Sequence, residues 1–81
     1  MSYQLDLKSI REHRIRKGLT MQDMADALGL EGKSSYSKRE AGDTKFKTSE
    51  LPVLVKLLGF SSIEKIFVSE LTKSKLIKQD A

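Results

Sequence analysis

The stretch from Gly18 to Gly42, GLTMQDMADALGLEGKSSYSKREAG, constrains the fold more than any other part of the chain. In its first half Met21, Met24, Ala25 and Leu28 recur at helical spacing, so this segment has a face to bury. Thr20 is a good N-cap, and Asp23 three residues on makes a capping-box-like start that also suits the helix dipole. Gly29 ends the helix. The second half, KSSYSKRE, offers almost nothing to bury, yet it follows too closely to be a linker. It reads as a short helix from about Lys33 to Ala41, with Gly32 as cap and Gly42 as stop.

The flanking segments supply what such a pair must pack against. Asp6 caps a first helix running to about Lys17, with Leu7, Ile10, Arg14 and Lys17 on one face and Gly18 as the stop. Residues 1–5 alternate too briefly to separate a strand from an extended tail. After Gly42 comes a loop, DTKFK. Thr48 or Ser49 then caps a fourth helix that carries Leu51, Leu54, Val55 and Leu58, and Pro52 is tolerable there only in the first turn. Ser61 and Glu64 form a capping box for a short fifth helix with Ile63, Ile66 and Phe67. The tail 68–81 holds Leu71, Leu76 and Ile77 with weak periodicity and reads as helix or extended arm. The expected fold class is therefore all-α, a compact bundle of about five helices in one domain over residues 1–81.

Composition narrows the function. A chain of 81 residues buries only about 60% of its unfolded surface, so it leans on good helix packing or on dimerisation. It has no cysteine, which removes disulfides and thiolate metal sites and fits a reducing compartment. No apolar run approaches the ~20 residues of a membrane span, and MSYQLDLK lacks a signal-peptide core, so a cytoplasmic protein with no membrane partner is expected. Lysine and arginine number 15 against 11 acidic residues, a formal charge of +4. That excess permits nucleic-acid binding without requiring it, and because it is spread along the chain, any basic face must arise from folding.

The order apolar helix, tight turn, short polar helix is that of a helix-turn-helix. The first helix of the pair braces the second, whose exposed side chains must be short and polar to approach base edges in the major groove. Lys33, Ser34, Ser37 and Lys38 project from one side of it, while Tyr36 points inward. Residues 7–67 resemble the XRE or Cro/CI-type helix-turn-helix regulators, lambda-repressor-like DNA-binding domains. The resemblance rests on IREHRIRKGLTMQDMADALG, YSKREAG and LPVLVKLLGFSSIEKIF. It implies double-stranded operator DNA as the partner, bound by a homodimer. It also implies a structural salt bridge between Arg14 and Glu40, which would fix the angle at which the third helix is presented. Lys45 and Lys47 match loop phosphate contacts, and Thr20 and Gln22 are further candidates for holding the DNA backbone. Three features depart from the family pattern: Met21 stands where a glutamine is usual, Glu31-Gly32 lengthens the turn, and Arg39 occupies a position usually apolar.

Other chemistry finds little support. His13 has no ligand set around it, and Phe46 is better placed to cover the core than to stack on a base. There is no phosphate-cradling glycine loop and no nucleophile with a base, so neither an enzyme nor a cofactor or metal is expected. The reading is a transcriptional regulator, a repressor of phage, mobile-element or bacterial origin, dimerising through apolar residues of helices 4–5 and the tail: Phe60, Val68, Leu71, Leu76 and Ile77. Two alternatives stand beside it. One is an antitoxin-type regulator that grips a toxin through the C-terminal tail, and the other is a protein-interaction module of the same fold without DNA binding.

Overall fold

The computed structural model describes residues 4–68. Four α-helices, α1 (Leu7–Arg16), α2 (Met21–Leu28), α3 (Lys33–Ala41) and α4 (Leu51–Leu58), carry the fold. A short antiparallel pair, β1 (Gln4–Leu5) and β2 (Phe67–Val68), joins the two ends with Leu5 opposite Phe67. The Asp6 amide also donates to the Ile66 carbonyl at 2.7 Å, so the entry to α1 is stitched to the end of the described chain.

Each helix starts and stops where local chemistry dictates. The Asp6 carboxylate accepts from the Ser9 amide at 3.0 Å and opens α1. Thr20 opens α2 with a reciprocal box: its hydroxyl accepts from the Asp23 amide at 3.0 Å, and the Asp23 carboxylate accepts from the Thr20 amide at 2.8 Å. Gly29 closes α2 at φ 72°, in the left-handed region where a side chain is strained, and Gly42 closes α3 in the same way at φ 90°.

The core draws on every helix. Ile10 of α1, Met24 and Ala25 of α2, Tyr36 of α3, and Leu54 and Leu58 of α4 are fully buried together. Around them pack Leu7, Leu19, Leu28, Leu30, Phe46 and Leu51. α2 makes its most extensive packing against α3, while α1 touches both α3 and α4. α3 is thus supported from behind by two helices.

Two expectations need correction. No fifth α-helix forms over Ile63–Ile66, which instead makes a single 3-10 turn entered from Ser62 with no side-chain cap. Phe67 is drawn into the ladder opposite Leu5, and that pairing ends the turn before a second one can be added. Nor do Thr48 and Ser49 cap α4 with their side chains; Thr48–Glu50 is itself a 3-10 turn, and α4 begins at Leu51 with Pro52 in its first turn.

Of the apolar residues expected at a dimer surface, Phe60 and Val68 lie among the described residues. Phe60 is stacked on His13, with ring centroids 4.0 Å apart, and Val68 is half-buried opposite Gln4 in the ladder. Ile63 is 44% exposed, and Ile15 and Val53 are exposed at 57% and 37%. Leu71, Leu76, Ile77 and the reading of the tail as helix or arm lie outside the described residues.

The capping box makes a pH-dependent statement. The backbone bond from Thr20, followed by its hydroxyl, holds the Asp23 carboxyl below the usual carboxylate range. A depressed folded-state value means that the stabilisation is present above the ordinary carboxylate pKa and is lost as pH falls through the lowered one. A carbon-detected NMR titration is expected to place Asp23 below the usual carboxylate range, with Thr20→Ala moving it back up. An ordinary titration in the unsubstituted protein would remove the box from the account.

Candidate nucleic-acid interface

α3 has two faces of opposite character. Lys33, Ser34 and Lys38 are exposed and Ser37 is half-exposed, and helical spacing places all four on one side. Tyr36, Arg39 and Glu40 are buried on the other. Among the described residues these four side chains make no hydrogen bond or ion pair, and they are short or flexible enough to follow a groove.

The inward face is held by charge. Arg14 of α1 donates from Nε to Glu40 Oε2 at 2.9 Å and from Nη2 to Oε1 at 3.2 Å, while its Nη1 donates to the Leu19 carbonyl at 2.9 Å. One guanidinium thus joins α1, the turn before α2 and the end of α3. Both side chains are nearly out of solvent, at 11% and 5% exposure. Hydrogen bonding to Glu40 raises the Arg14 pKa against the opposing effect of burial, so the guanidinium stays charged across any ordinary pH.

The residue before Glu40 makes a second pair. Arg39 donates from Nε to Glu50 Oε1 at 3.0 Å and from Nη2 to Oε2 at 3.2 Å. Sequence reading marked Arg39 only as a departure and passed over Glu50. The available signal was spacing, because Arg39 shares the buried face with Tyr36 and Glu40. Between the pairs Tyr36 is fully buried, and Phe46 meets its ring edge-on at a centroid distance of 6.1 Å. Burial, reinforced by the Glu40 carboxylate, pushes the Tyr36 phenol far above its usual range and keeps it neutral.

The start of α3 differs from those of the two helices before it. α1 and α2 are capped by Asp6 and Thr20, but Gly32 has no side chain to cap α3, whose first turn holds Lys33 and no acid. A lysine at that end opposes the helix dipole and costs a few tenths of a kcal/mol or more. Uncapped amides beside a cation are an arrangement that suits an incoming anion such as a phosphate.

A family model for helix-turn-helix proteins matches residues 10–66. The chain belongs to the XRE-type helix-turn-helix family. Comparison with curated proteins and with solved structures returned no match. Helix-turn-helix domains of this family are DNA-binding regulatory domains. Among the described residues no group of three or more His, Cys, Asp or Glu side chains is placed to hold a metal, and no helix is long and apolar enough to cross a membrane.

In helix-turn-helix terms α2 is the bracing helix and α3 the recognition helix. The loop after α3 returns to it at once, since the Asp43 and Thr44 amides both donate to the Lys38 carbonyl, at 2.8 and 3.2 Å. Lys45 and Lys47 stand exposed on either side of the half-buried Phe46. Thr20 and Gln22 are exposed at the start of α2, but each already has a partner there: Thr20 in the capping box, and Gln22 Nε2 on Asp26 Oδ1 at 2.9 Å. Met21 is half-buried against the core, so it serves packing in this helix-turn-helix.

The Arg14–Glu40 pair invites a direct test. Removing one partner strands a nearly buried charge, at about 3–5 kcal/mol, whereas removing both costs less than the sum of the two. A double-mutant cycle with Arg14→Met and Glu40→Gln, read by denaturant unfolding, is expected to show strong favourable coupling. Simple additivity would mean that the two charges do not meet in solution.

Proposed function

We propose that the protein is a sequence-specific transcriptional repressor that binds operator DNA as a homodimer, with α3 in the major groove. The observation that carries this reading is the division of α3: an outward face of Lys33, Ser34, Ser37 and Lys38 behind which Arg39 and Glu40 are locked by buried pairs. A solvated face on a surface helix needs no such backing. Lysine and serine side chains bond guanine edges, other base edges and phosphates, and the uncapped start of α3 favours the phosphate backbone.

Roles divide by position. Lys33, Ser34, Ser37 and Lys38 address the groove, while Lys45 and Lys47 grip phosphates, with Thr20 and Gln22 as secondary backbone contacts from α2. Phosphate contacts set register and affinity, and base contacts set preference. One module with four base-facing side chains discriminates poorly among the ~10⁶–10⁹ competing sites of a genome, which argues for two copies on a palindrome. Val53 on α4 and Ile63 just beyond it are exposed and offer apolar surface for the second copy. Repression follows from occupancy of the operator.

Each lysine that neutralises a phosphate adds about 0.9 to the slope of log Kobs against log salt. Lys45→Ala and Lys47→Ala are each expected to lower the slope by about that amount and to weaken all duplexes alike. Lys38→Ala is expected to change the ranking of sequences as well. Titrations at several salt concentrations check this, and unchanged slopes in all three variants would remove these residues from the interface.

A further inference from the structure

The carboxylate of Glu50 has a second task besides meeting Arg39. Its Oε1 also accepts the backbone amide of Lys47 at 2.9 Å, and the Glu50 amide returns a bond to the Lys47 carbonyl at 2.9 Å. We infer that the Arg39–Glu50 pair is a positioning device for the Lys45–Lys47 loop, setting where its cations stand relative to the base-reading face of α3. This inference rests on the DNA-binding reading above.

The loop is tied at three points. Near its start, the Asp43 and Thr44 amides hold the Lys38 carbonyl. In its middle, Phe46 lies edge-on against the buried ring of Tyr36. At its end, Lys47 is fastened to Glu50, and Glu50 to Arg39 on α3. Every tie leads back to α3 or to a residue paired with it, and Lys45 and Lys47 are the cations among the loop's exposed side chains, beside Asp43 and Thr44. A loop ordered before binding avoids the entropy that an untethered one would lose on the DNA.

Core stability alone does not call for this pair. Both side chains are 9% exposed, and apolar residues of similar size at such sites are commonly as stable or more so. What apolar residues lack is an acceptor for the Lys47 amide. Fold and grip therefore respond differently to replacement, and the difference is measurable.

The test uses the full chain with Arg39→Leu and Glu50→Leu combined, and separately Glu50→Gln. The double variant is expected to stay folded, to lose about 1–2 from the salt slope of duplex binding, and to keep its preference between a selected site and a random one. Glu50→Gln retains an oxygen for the Lys47 amide and is expected to recover most of the slope. Amide hydrogen exchange in the unsubstituted protein is a second, variant-free reading: the Lys47 amide should be protected. A folded double variant with the original slope would overturn this inference alone, as would a Lys47 amide exchanging like free backbone. An unsubstituted protein that binds no duplex at low salt would instead overturn the DNA reading on which the inference rests.

Discussion

The guanidinium of Arg14 grips the carboxylate of Glu40 behind α3, and the placement of that helix depends on it. The same guanidinium holds the Leu19 carbonyl, so the first helix, the turn and the recognition helix share one fixed point. One residue earlier, Arg39 pairs with Glu50. Burying two charges costs several kcal/mol per ion before their attraction is counted, so such pairs add little net stability. Their effect is on geometry, because a bidentate fork accepts few orientations where an apolar contact accepts many. α3 is thereby fixed from behind on both sides while its front stays free.

That division explains features that a stability argument alone does not. α3 starts without a side-chain cap, carries a lysine where the dipole disfavours one, and spends its outward face on serine and lysine. Each choice costs part of the small stability available to a domain of this size. α1 and α2, which bear the packing, are capped conventionally. α4 also starts without a side-chain cap, so what sets α3 apart is the missing cap together with a lysine in the first turn and an outward face of serine and lysine, on the face proposed to meet DNA.

Much of this was legible in the sequence because the signals are local. Asp6, Thr20 with Asp23, Gly29 and Gly42 mark helix ends through contacts within a few residues, and the structure places the ends of α1, α2 and α3 there. The inward turn of Tyr36 followed from helical spacing alone. Where pairing spans the chain, local signals mislead: the Ser61 and Glu64 pattern read as a helix start, but Leu5 captures Phe67 from the far end of the sequence. Glu50 escaped notice for a related reason, since a carboxylate ahead of an apolar helix reads as a favourable charge at its start. Its partner Arg39 lies on another helix, and only their meeting reveals the pair. The outward residues of α3 were the easiest to nominate, because they are what remains once the core is assigned.

The central claim is that α3 presents a base-reading surface to DNA and does so in two symmetric copies. Selection of bound fragments from genomic DNA by the full chain, followed by sequencing and footprinting, tests this most directly. The account predicts an enriched palindrome whose half-sites lie about 10 base pairs apart, centre to centre, with protection on one face of the duplex. Fragments recovered without any shared sequence, or no retained DNA even at low salt, would contradict it.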